Sequence, residues 1–132
     1  LILANSIYPT RVADALLAKA KAGNGDAADF IIKYGLHRRL LGVKNAFSEE
    51  DDLVMLDDLK ACNNYQLDLN DLKSIGISIS IILGSKDRLV DLKAVEKFTD
   101  IVPSKTYTMD EVGHFSFFED PIELSKLISE IV

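Results

Sequence analysis

The sequence is short of cysteine, of positive charge and of long apolar runs, and each shortage removes a class of protein. Cys62 is the only cysteine in 132 residues, so no internal disulfide can form, and a reducing, cytoplasmic setting is the simplest reading. No metal-ligand cluster is present. Fifteen Lys and Arg against 21 Asp and Glu give a formal net charge of −6. Phosphate recognition needs a basic surface that releases counterions, so a nucleic-acid partner is not expected. The longest apolar run, Ile77 to Leu83, is broken by serines and falls far below the roughly 20 residues that span a bilayer. No membrane partner is expected either. The amino end lacks a basic segment ahead of its apolar residues, so no cleavable signal is visible.

What remains is ordinary for a globular protein: 48% hydrophobic and 27% charged residues, enough for one domain with a real core. Leu1-Ile2-Leu3-Ala4 reads as a buried strand that begins without Met, polar lead-in or cap. The expectation is therefore a carboxy-terminal piece of a larger fold. Thr10 is placed to cap a helix carrying Val12, Leu16, Leu17 and Ala20, ended by Gly23-Asn24-Gly25. Asp26 caps a second helix through Phe30, Ile31 and Tyr34, stopped by Gly35. A third short helix is expected from Leu36 to Leu41, stopped by Gly42. Ser48 with Asp51 resembles a capping box that opens a fourth helix through Leu53, Leu56 and Leu59.

The pattern then changes. Ile77 to Leu83 is apolar on both parities, as in a parallel strand covered on both faces, and Gly84 ends it. Leu92, Val95, Phe98 and Val102 recur at helical steps between Leu89 and Val102. Thr106 to Met109 reads as another short strand. Asp120 caps a last helix, with Pro121 in its first position, Glu123 at the capping-box position, and Ile122, Leu124, Leu127, Ile128 and Ile131 as its buried stripe. Strand, helix, strand and helix at this spacing make a βαβα unit, so the class is α/β with parallel strands and flanking helices. The division expected is a core strand and loop over residues 1–9, a helical cap over 10–72, and a core over 73–132. Ligands in open α/β sheets bind beside the edge that such a cap would cover.

Two groups on that edge carry chemistry. Asp87 follows the buried strand, and Lys86 and Arg88 beside it favour its ionised form. His114 follows the next strand, 27 residues on, and Gly113 lets the backbone turn it inward. Phe115, Phe117 and Phe118 would limit water around the ring. A carboxylate that accepts the Nδ1 proton leaves Nε2 to move a proton to and from a nucleophile. The nucleophile itself is missing, because no Gly-x-Ser-x-Gly turn occurs in the chain.

The strings Ile82-Leu83-Gly84-Ser85-Lys86-Asp87-Arg88-Leu89-Val90 and Val112-Gly113-His114-Phe115-Ser116-Phe117-Phe118-Glu119-Asp120-Pro121 resemble the acid and histidine loops of α/β-hydrolases with a helical cap. That family orders its triad nucleophile, acid, histidine. The resemblance implies Asp87 as triad acid, His114 as general base, no cofactor, and a serine elbow and oxyanion-hole loop upstream of Leu1. It also implies that the amino-terminal half of the same protein is this segment's partner. Carboxylesterases, including methyl esterases acting on a carrier protein, carbon-carbon bond hydrolases and haloalkane dehalogenases all share these features. An ester or acyl substrate is the commonest outcome.

Plainer readings stand beside these. Alone, Asp87 reads as a turn aspartate and His114 as a hydrogen-bonded structural histidine; their order on successive βα loops favours the pair. Cys62 lacks an elbow context and reads as a buried structural thiol. Ser85 is too close to Asp87 on the same loop to be its nucleophile, and Ser6 and Ser116 lack an elbow context as well. Lys33, His37, Arg38, Arg39 and Lys44 form a basic stretch, followed by Glu49, Glu50, Asp51, Asp52, Asp57 and Asp58. Solvated, salt-bridged helix faces are the usual meaning. The sharper one is that the basic stretch docks an anionic partner such as an acidic carrier protein. Phe30, Tyr34, Phe47 and Tyr65 line the inner surface of the cap or pack its core. A pseudoenzyme or a binding module using the cap is the alternative class.

Overall fold

In a computed structural model of the chain, residues 1–40, Val43 and 51–132 are described, Asp51 and Asp52 by their backbone alone. The organising element is the strand Ile79–Gly84, in which every residue is buried. It takes the centre of a three-stranded parallel sheet between Ile2–Ala4 (β1) and Ser104–Met109; these are β1, β2 and β3 in chain order, and in the sheet. Helices Asp14–Ala22 (α1), Asp26–Gly35 (α2), Asp51–Asn64 (α3) and Leu69–Ile75 (α4) lie between β1 and β2. Leu92–Ile101 (α5) links β2 to β3, and Ser116–Glu119 (α6) and Pro121–Ile131 (α7) follow.

The double-parity apolar pattern of β2 serves two cores. Ile79, Ile81 and Leu83 point to one face, where Ala94, Val95 and Phe98 of α5, with Ile7 and Val102, complete a cluster that Leu69 and Leu72 of α4 join. Ile82 points to the other face with Met109 and Val112, covered by Leu124, Leu127 and Ile131 of α7. A third cluster, Leu16, Ala20 and Ala27 with Phe30, Ile31, Met55, Leu56 and Leu59, holds α1, α2 and α3 together. The helical block thus has its own core, except that α4 packs on the sheet.

Several elements differ from what the pattern suggested, each for a local reason. The first strand is half-buried at the sheet edge rather than buried, and Leu1 is exposed. Thr10 caps no helix: its hydroxyl donates to the Ile7 carbonyl, 2.9 Å away. Helix α1 starts after Ala13, because the preceding backbone is pinned by Val12 N donating to Asn63 Oδ1 at 2.9 Å. Gly25, at φ 80°, is the N-cap of α2, and Asp26 is its first residue. The left-handed backbone there suits glycine.

Residues 36–40 are not helical, because their backbone groups are spent on tertiary partners: the amides of His37 and Arg38 donate to Glu119. Leu41, Gly42 and the Ser48 end of the expected capping box lie outside the described residues, as do Lys44, Phe47, Glu49, Glu50 and the side chains of Asp51 and Asp52. Helix α3 runs on to Asn64. In α7, Asp120 accepts from Glu123 N at 3.0 Å as expected, with Pro121 leading. Its buried stripe is narrower, since Ile122 and Ile128 are exposed and only Leu124, Leu127 and Ile131 reach the sheet.

Candidate active site

Register sets the site. Gly84 pairs with Met109, so the chain leaves β2 and β3 at the same level. The two loops then lie on each other: Ser85 N donates to Met109 O at 2.8 Å and Lys86 N to Val112 O at 2.9 Å. Their approach is so close that a Cβ on Gly84 would collide with the backbone oxygens of Val112 and Gly113.

The Asp87 side chain, 4% exposed, points into the junction. Its Oδ1 accepts the amides of Leu89 and Val90 at 2.8 and 3.1 Å. Its Oδ2 accepts from Asn5 Nδ2 at 3.2 Å and faces His114 Nδ1 at 2.9 Å. Burial opposes the charge, but His114 and the two amides outweigh it, and the carboxyl is held below its ordinary value. An ionised carboxylate can only accept, so Nδ1 carries the proton in this contact. Among the described residues none hydrogen-bonds to Nε2, and the His114 side chain keeps 27% exposure. The Phe115 ring stands edge-on to the imidazole at 5.4 Å.

The structure thus brings Asp87 and His114 together, while their sequence neighbours act elsewhere. Lys86 pairs with Glu111 at 2.9 Å, and Arg88 donates to the carbonyls of Lys33 and Leu36, so neither charge supports Asp87. The stabilising partners are His114 and the loop amides of Leu89 and Val90, with Asn5 as a further hydrogen-bond donor. Phe117 and Phe118 are exposed, leaving only Phe115 against the ring. Cys62 is exposed rather than buried. Ser85 Oγ donates to Asp110, and Ser116, 1% exposed, donates to Asn5 Oδ1. In the basic stretch, His37 Nε2 contacts Glu111 at 3.0 Å, while Lys33, Arg38 and Arg39 are exposed. Phe30 packs tilted against Tyr34 at 4.5 Å, and Tyr65 packs edge-on to Tyr8 at 5.7 Å. A cavity of about 520 Å³ between Tyr8, Leu67–Asn70 and Ile101 includes neither Asp87 nor His114.

Asn5 was not singled out by sequence, yet it organises the junction. It is 6% exposed, takes a left-handed backbone at φ 49°, and joins Asp87, the Gly113 carbonyl and Ser116. Asparagine is one of few residues that tolerate that backbone, which was the available signal. Glu119 stood in the histidine-loop string without a role; its carboxylate accepts the amides of Gly113, His37 and Arg38.

No family model and no curated protein sequence matches the chain. Solved structures do. An esterase from Exiguobacterium antarcticum superposes with a TM-score of 0.75 at 17% identity, over 99% of this chain and 56% of its own. An α/β-hydrolase enzyme from a deep-sea metagenome library gives 0.67 at 18%, over 96% and 53%. The chain has the fold of the carboxy-terminal part of an α/β-hydrolase. A 2-hydroxy-6-oxo-6-phenylhexa-2,4-dienoate hydrolase from a Rhodococcus species gives 0.69 at 12%, over 98% and 53%. The chain therefore spans about half the length of each of these structures. Its parallel strands with helices on both faces correspond to the carboxy-terminal part of the α/β-hydrolase fold, with β2 and β3 leading into the loops of Asp87 and His114.

Proposed function

We propose that the protein is a hydrolase of the α/β-hydrolase type, acting on a carboxylic ester through a Ser-His-Asp triad. The carrying observation is the 2.9 Å contact between His114 Nδ1 and Asp87 Oδ2, with Nε2 left without a described partner. In this reading a serine on a segment preceding Leu1 attacks the ester carbonyl. His114 takes the serine proton at Nε2 and returns it to the leaving alcohol, while Asp87 keeps the proton on Nδ1 and stabilises the imidazolium. The chain's span of about half of each matched hydrolase supports a nucleophile on such a segment, as does the engagement of Ser85 and Ser116 with other partners. An exposed, unpaired thiol at Cys62 supports a cytoplasmic setting. Exposed Lys33, Arg38 and Arg39 at the end of α2 support delivery of the acyl group by an acidic carrier protein.

The test is His114→Ala in the full-length protein: ester turnover disappears while the fold stays intact, and retention of most turnover rejects the assignment. Ester hydrolysis by the 132-residue chain alone would also contradict it. The same pair fits carbon-carbon bond hydrolysis or dehalogenation. A non-catalytic reading rests on the absence, among the described residues, of any nucleophile against Nε2; failure of a serine-reactive phosphonate to label the full-length protein favours it.

A further inference from the structure

The last turn of α2 is gripped from both loops of the candidate site. From the acid loop, Arg88 Nη2 donates to the Lys33 carbonyl at 2.6 Å and the Leu36 carbonyl at 3.3 Å, and its guanidinium lies 5.5 Å from the Tyr34 ring centre. From the histidine loop, His114 N donates to the Gly35 carbonyl at 2.6 Å. The third grip is Glu119. Its Oε1 accepts Gly113 N at 3.0 Å, and its Oε2 accepts His37 N at 2.9 Å and Arg38 N at 3.0 Å. Gly113 is enclosed by these same groups, since a Cβ there would meet the Gly35 carbonyl, Glu119 Oε1 and His37 N.

We propose that Glu119 is a positioning residue for His114: by tying Gly113 to the amides that follow α2, it fixes the peptide from which the imidazole projects towards Asp87. The proposal rests on reading Asp87 and His114 as a catalytic pair. The choice of residue follows from its inventory of groups. A carboxylate offers two acceptor oxygens with no donor, and here all three of its bonds come from N–H groups. Glutamine turns one oxygen into a donor facing an N–H, so it keeps one side of the bridge and loses the other. Alanine removes both sides. The bridge also couples two parts of the fold, because the amides at one end belong to the helical block and the amide at the other precedes the base.

The test reads the Nδ1–H proton of His114 by NMR, a resonance that a merely structural role would not move. In Glu119→Ala the signal broadens or vanishes while Ile81 and Ile82 methyl signals stay in place, and Glu119→Gln falls between. In the full-length enzyme kcat drops by up to about 10²-fold with KM little changed, as expected for a misplaced base. A folded Glu119→Ala protein with an unchanged Nδ1–H signal overturns the proposal. Should that variant fail to fold, Glu119→Gln decides: a wild-type signal and wild-type kcat overturn it, and a partial loss of both supports it. A wild-type Nδ1–H resonance indifferent to Asp87→Asn would instead overturn the pair itself, and the proposal with it.

Discussion

His114 Nδ1 and Asp87 Oδ2 stand 2.9 Å apart, although each side chain comes from a loop after a different strand. The contact is a product of register. With Gly84 opposite Met109, the acid three residues beyond one strand end and the imidazole five beyond the other converge above the same sheet edge.

Asp87→Asn preserves the shape of that contact but replaces an acceptor with a group that can donate, and it favours the wrong imidazole tautomer. In the full-length enzyme kcat is expected to fall by about 10⁴-fold with the fold unchanged. Steady-state kinetics beside circular dichroism checks this.

Because Asp87 is held below its ordinary value in the folded chain, its ionised form is favoured by folding. That contribution is fully present above an ordinary carboxyl value near 3.8 and is lost as pH falls through the lower folded value. Urea unfolding between about pH 5 and 2 should show stability declining, with a shallower decline in Asp87→Asn.

Asn5→Ala removes the shared partner of Asp87, the Gly113 carbonyl and the buried Ser116 hydroxyl. Buried groups left without partners cost about 1–3 kcal/mol. A loss of unfolding free energy of that size, seen also as a lower Tm, is expected, and Ser116→Ala combined with Asn5→Ala should cost less than the sum of the two.

Gly84→Ala forces a methyl against two backbone oxygens that cannot rotate away. Overpacking of this kind costs about 1–3 kcal/mol. Here it also parts the two loops, so denaturant unfolding and the His114 Nδ1–H signal should both report the change.

Cys62 is exposed and unpaired. Iodoacetamide should therefore modify it in the native protein at nearly the rate seen in urea, without a loss of Tm. Protection until unfolding would contradict the described environment.

The core was legible in the sequence because burial on both faces leaves a pattern that does not depend on distant residues. Ile79 to Leu83 is such a run, and Asp120-Pro121 opening α7 is another local signal. What stayed hidden depended on tertiary partners. Residues 36–40 have helix-compatible side chains, yet the amides of His37 and Arg38 go to Glu119, more than 80 residues away. Helix α4 has only Leu69 and Leu72 facing the core, too few to show a period. At the site, sequence order placed Asp87 and His114 on loops after successive strands. Asn5 was silent, and Glu119 was visible only as a member of the histidine-loop string, because a polar side chain gives no hint of which distant amides it will meet.

The sheet also acts as a partition. Substitutions at Ile81 or Phe98 are felt on the α5 side, and those at Ile82 or Leu127 on the α7 side, with one strand as the shared wall. The loops of Asp87 and His114 rise from the rim of that wall and are each rooted in a different compartment, Val90 packing on the α5 side and Val112 lying within the α7 side. Repacking on the α5 side is therefore felt first by the acid, and repacking on the α7 side first by the base.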